Sequence, residues 1–167
     1  MSTATATLDQ RLVEALQRAA QEVLVTMASL TPRALDEQPE STSLFRDEVI
    51  GLLGFTGGRS GTVVVRTTER MAKAIAARML MVEPDEFGDF AEAADAFGEV
   101  VNMIAGSFKN AWVAAGHTME LSMPNVIHHG FVKLHSDGPG AVRSRIHVAL
   151  DDGALDIGVH LEGAAQA

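Results

Sequence analysis

Four residues in the run DAFGEVVNMIAG combine types that can do chemistry with a spacing that keeps them together: Asp95, Glu99, Asn102 and Gly106. At about 100° per residue they fall within one narrow arc of a helix, with Lys109 and Asn110 at its edges, and Phe97, Val101, Ile104, Phe108 and Ala111 fill the opposite arc. An outward helix face ordinarily carries polar residues, and that plain reading covers part of the pattern. The choice of residues goes further. Asp95 and Glu99 are like charges one turn apart, a mildly destabilising pair, and Asn is a weak helix former where Glu, Lys or Gln would serve better. Gly98 and Gly106 each cost the helix roughly 1 kcal/mol against Ala, and Gly106 leaves room for another molecule to approach.

Other chemistries find little support. The chain has no cysteine, so disulfides, zinc–thiolate sites and thiol nucleophiles are excluded. There is no GxSxG elbow, and the GGRSG stretch lacks the Lys-Ser/Thr ending of a phosphate loop and lies between two strand-like runs. Six histidines raise the question of a metal, yet none sits in an HExxH spacing. His128 and His129 are adjacent and expected to point apart in an extended chain, and His135, His147 and His160 are expected outward on different strands. No metal site or cofactor of the protein's own is therefore expected.

Composition narrows the partners. Twenty-two acids against 13 bases leave a formal charge of −9, without a basic cluster and with no Tyr and one Trp, so nucleic acid is not an expected partner. The start MSTATATLDQRLVEAL lacks the basic, then apolar, layout of a signal peptide. No segment approaches the roughly 18 uninterrupted apolar residues of a membrane span, so no membrane association and a cytoplasmic location are expected.

The elements that must position the polar arc follow from periodicity. Leu8, Leu12, Leu16, Ala20, Val23, Met27 and Leu30 recur at helical steps, with a Thr7/Gln10 capping box at the start and Pro32 as a stop. A polar connection, DEQPESTS, follows. EVIGLLGF and GTVVVRT around TGGRS read as a hairpin. Thr68 caps a helix to about Leu80, EPDEFGDF breaks it, and the helix with the polar arc runs from Phe90 to about Ala115, closing near Gly116. Next come an extended LSMPNVIHHG, a strand GFVKLHS joined through DGPG, and a second hairpin, VRSRIHVAL and ALDIGVHL, turning at DDG. Residues 1–167 are thus expected to form one α+β domain, a two-layer sandwich with a mainly antiparallel sheet covered on one face by helices.

The run DAFGEVVNMIAG resembles the DxxxExxN signature, continued by NMIAG, of the CheC/CheX/FliY family of chemotaxis phosphatases, with Asp95, Glu99 and Asn102 in the three motif places. The first helix, the stretch EVIGLLGFTGGRSGTVVVRTTERMAKAIAARML and the later LSMPNVIHHG are similar to the corresponding parts of CheX, so the resemblance covers most of the chain. CheC-type members carry the signature on two helices; here it occurs once, and TERMAKAIAARML has no such stripe, which favours a CheX-like protein. PNV and the histidines of IHHG depart from the family, at the edge of the partner surface.

The resemblance implies a phosphatase acting on the aspartyl phosphate of a CheY-like receiver domain. Glu99 then docks to the receiver's active-site lysine, Asn102 orients the attacking water, and Asp95 and Gly106 serve partner binding. It implies that Mg²⁺ is held by the receiver, and that the chain forms a homodimer, for which the strand ALDIGVHL is the expected edge. The alternative is a non-catalytic receiver-binding or flagellar-switch-type interaction module.

Overall fold

A computed structural model of the chain describes residues 7–40, 42–135 and 138–163. Among these residues three helices, α1 (Leu8–Ala28), α2 (Glu69–Leu80) and α3 (Phe90–Ala114), lie on one face of an antiparallel sheet. The strands are β1 (Ala34–Gln38), β2 (Leu44–Phe45), β3 (Val49–Gly57), β4 (Gly61–Thr67), β5 (Met119–Leu121), β6 (Asn125–His128), β7 (Val132–Lys133), β8 (Val142–Leu150) and β9 (Gly153–Leu161). The main sheet runs β1-β8-β9-β4-β3-β5, with β6 also on the outer edge of β3, and β2 and β7 form a separate small pair. This is the expected α+β sandwich.

Local chemistry accounts for the helix limits. The Thr7 hydroxyl accepts from the Gln10 N–H at 3.2 Å while the Gln10 side chain accepts from the Thr7 N–H at 2.9 Å, the reciprocal cap expected from the sequence. The helix ends at Ser29 in a left-handed conformation, three residues before Pro32. Thr68 caps α2 through the Met71 N–H. Apolar residues from all three helices, among them Leu12, Leu16, Ile75, Phe97, Ile104 and Phe108, close over Leu53, Val63, Ile146, Ile157 and Val159 of the sheet. A Cβ on Gly51 would stand 2.5 Å from Val101 Cγ2, so β3 carries glycine where α3 lies closest to it.

Three expectations about the strands need correction. The stretch DEQ, read as the start of a polar connection, belongs to strand β1, paired with β8 from Ala34↔Ala149 to Gln38↔Arg145. It is a polar edge strand, held by its ladder and by Gln17 Nε2 donating to the Leu35 carbonyl at 2.7 Å. The ALDIGVHL strand is enclosed between β8 and β4, so it is no edge; the edges are β1 and the β5–β6 side. The strand expected at GFVKLHS does not join the final hairpin over its described residues: β7 pairs with β2 instead. Ser136 and Asp137, at the DGPG connection, lie outside the described residues.

The outer face of the sheet is also drier than alternation implies. Phe45 packs there against Ile50 and Val64, with Leu52, Ile127, Val132 and Leu134 around them. Beneath this cover His160, expected outward into water, is 1% exposed, edge-on to the Phe45 ring at 5.4 Å and 3.7 Å from Glu40 Oε2. The Arg66 guanidinium lies 4.5 Å from the centre of the same ring and reaches Glu40 at 3.4 Å and Asp47 at 3.5 Å. His160 does face away from the helices; it is covered because Glu40 and Phe45 lie across this face of the sheet.

Candidate functional site

The longest helix presents the polar arc. Asp89 caps α3 by accepting from the Ala91 N–H at 3.0 Å, and Glu92 adds a negative charge in the first turn, where the helix dipole favours it. Anchorage comes from the opposite face, where Phe97, Val101, Ile104 and Phe108 are completely buried or nearly so. Near the C-terminal end the Ser107 hydroxyl donates to Glu22 Oε2 at 2.8 Å, tying α3 to α1. The backbone under the arc is thus fixed from below and from the side.

The structure brings the four expected residues together on one face. Asp95, Glu99 and Asn102 are exposed, and Gly106 follows one turn beyond Asn102 with open space where a Cβ would stand. Neither the Glu99 nor the Asn102 side chain has a hydrogen bond, ion pair or ring contact with any described residue. Glu99 offers a free anion and Asn102 a free donor–acceptor pair, one helical turn apart on a rigid support. Gly98, outside the arc, is buried, and a Cβ there would meet Val126 Cγ2 of β6 at 3.5 Å. A side chain at Gly98 would thus meet β6 at ordinary contact distance, while Gly106 leaves open surface.

A second group of side chains was not expected from the sequence. His128 and His129 do not point apart. His129 has φ +54, a left-handed turn that breaks strand alternation, and both Nε2 atoms reach Glu69 Oε2, at 3.1 and 3.2 Å. The Lys73 ammonium holds the other oxygen of Glu69 at 3.2 Å. The hydrogen bond from His128, followed by that from Lys73, pulls the Glu69 carboxyl down to about 2. The register explains the meeting: Val49 on β3 pairs with His128 on one side and Thr67 on the other, and α2 opens two residues after Thr67. No local sequence signal carries that register.

The comparisons with known proteins agree with this architecture. The profile of a family described as chemotaxis phosphatase CheX matches residues 49–142, which include α3 and its polar arc. Among solved structures, a chemotaxis protein CheX from Desulfovibrio desulfuricans is 25% identical with a TM-score of 0.78, over 90% of this chain and 99% of that one. The chemotaxis protein CheX from Vibrio vulnificus is 24% identical with a TM-score of 0.71, over 94% and 100%. A CheX from Borrelia burgdorferi, solved in a CheX–CheY–BeF₃–Mg²⁺ complex, shares the fold at 19% identity and a TM-score of 0.73, over 90% and 97%. Comparison with curated proteins gives no match.

Proposed function

This chain belongs to the CheX family of chemotaxis phosphatases, and from that premise we propose that it hydrolyses the aspartyl phosphate of a CheY-like receiver domain, with Glu99 as the docking anion and Asn102 as the water-orienting amide. The observation that carries this reading is the pairing of those two side chains, exposed, unpartnered among the described residues and one turn apart on a buried-backed helix. An acyl phosphate has a good leaving group, and its loose transition state asks little proton abstraction of the attacking water. What a second protein adds is placement, and a neutral carboxamide can hold a water without repelling phosphoryl oxygens.

The anion needs a cation, and in this reading the receiver's active-site lysine supplies it. The receiver also holds the Mg²⁺, as is consistent with the Borrelia burgdorferi CheX having been solved together with CheY and Mg²⁺. Asp95 lies one turn before Glu99 and widens the docking face. Residues 1–167 act in this reading as one CheX-like unit, and the homodimer forms through a free sheet edge, β1 or the β5–β6 side, since β9 is enclosed.

The test is a titration of the protein into phosphorylated receiver domains from the same cell. Accelerated phosphoaspartate decay at sub-equimolar amounts is the expected result. A slowed decay that saturates at equimolar protein means sequestration, and the non-catalytic binding module then replaces the enzyme.

Gly106 gives a separate check on the docking face. Gly106→Ala meets open space in the isolated protein, so helix propensity raises stability by roughly 1 kcal/mol. That corresponds to about 2–4 °C in Tm for a chain of this size. The added methyl stands where the receiver approaches, so affinity falls while Tm rises. A variant that gains stability and binds the receiver as tightly as before removes Gly106 from the docking surface.

A further inference from the structure

We propose that Glu69, His128 and His129 form a binding site for a divalent transition-metal ion of the Zn²⁺ kind. The three ligand atoms, Glu69 Oε2 and the two Nε2 atoms, all lie within 4.8 Å of one another, and the two N···O separations are 3.1 and 3.2 Å. Adjacent ligands of a tetrahedral zinc, with bonds of about 2.05 Å, stand about 3.3 Å apart. The carboxylate oxygen therefore already stands from each histidine nitrogen at nearly the spacing that the ion imposes, with the ligand atoms all within 4.8 Å of one another. Two imidazoles and one carboxylate make a borderline N/O set that suits zinc over magnesium or calcium.

The surroundings fix these ligands. The Glu48 carboxylate accepts from the Glu69 N–H at 2.8 Å, and the Glu48 carbonyl accepts from the His129 N–H at 2.8 Å, so one residue sets the position of two ligands. The Phe90 ring stacks on His128 with 4.0 Å between centres and 27° between planes. Lys73 occupies Glu69 Oε1, which leaves Oε2 as the monodentate ligand atom. For each histidine to bind through Nε2, its ring proton must sit on Nδ1. Three protein ligands leave a fourth position for water.

The site's place in the fold gives the ion a task. Glu69 opens α2, His128 closes β6 with His129 directly after it, and Phe90 opens α3. An ion here clasps the corner where these elements meet and anchors the start of the helix that carries Glu99 and Asn102. The inference stands on this geometry alone and does not depend on the phosphatase reading.

The experiment uses the full-length chain without a histidine tag, freed of metal by chelation, and titrated with ZnCl₂ in a calorimeter and by thermal melting. One Zn²⁺ per chain and a raised Tm are expected. Co²⁺ in place of Zn²⁺ should give the intense visible absorption of a tetrahedral site. His129→Asn is the main variant, because Asn tolerates the left-handed backbone and the ring is exposed. It should weaken binding at least about tenfold and abolish the thermal shift, since even outer partners of such ligands are worth about 10–100-fold. Glu69→Gln should do the same while keeping the side chain's length. If the wild type shows no thermal shift with Zn²⁺, or if both variants bind Zn²⁺ as the wild type does, the site is refuted.

Discussion

Asn102→Ala should lower the acceleration of phosphoaspartate decay on the order of 10²-fold, about 2.7 kcal/mol of barrier, and leave receiver affinity nearly unchanged. The side chain is exposed and has no partner among the described residues, so its removal strands no buried group. Alanine is also the better helix former at position 102, and Tm should hold or rise slightly. The loss belongs to kcat because ordering a water matters at the moment of attack and adds little to the binding of two protein surfaces. Asn102→Asp sharpens the test. It keeps the shape and an acceptor but brings a negative charge to the phosphoryl oxygens, so it should be as slow as alanine or slower. Single-turnover decay of a phosphorylated receiver at saturating variant, with Tm recorded alongside, checks both. Acceleration by Asn102→Ala equal to that of the wild type means that the amide does not orient the water.

That such a test can be written from the sequence reflects where the candidate residues lie. Asp95, Glu99, Asn102 and Gly106 share one helix, and helical periodicity alone sets their mutual direction. The apolar run from Phe97 to Phe108 states which face is buried, and it is the buried face in the structure. Features that depend on distant chain were not legible. The burial of His160 rests on Glu40 and Phe45 covering it from distant chain, and nothing beside position 160 announces it. β1 has the polar composition of a loop because an edge strand is stabilised by its partner's ladder and not by its own apolar face. The meeting of His128 and His129 at Glu69 required both a sheet register and one left-handed residue, and the assumption of a straight extended chain removed the second. Local pattern thus reached the candidate catalytic face, and long-range pairing decided the candidate metal site.

Glu99→Ala should act differently from Asn102→Ala, and the contrast separates the two roles. A charge-assisted pair closed at an interface is worth about 1.5–3 kcal/mol, so losing it should weaken receiver association by about 10–100-fold. The rate at saturation should fall too, because Glu99 sits one turn from Asn102 and sets the register in which the amide reaches the phosphorus. A rise in KM together with a fall in kcat is therefore expected here, against a fall in kcat alone for Asn102→Ala. Salt offers an independent handle. Raising ionic strength should weaken wild-type association more than that of Glu99→Ala, since the variant has lost one of the charges being screened. The decisive step is a double-mutant cycle with the receiver's active-site lysine, read as binding so that the lysine's own part in phosphorylation does not intrude. If the two side chains touch, removing Glu99 from a complex that already lacks the lysine should cost little, and the coupling should recover most of the single-variant loss. Additive losses would mean that Glu99 meets some other group, and the docking geometry that places Asn102 over the phosphate would have to be abandoned with it.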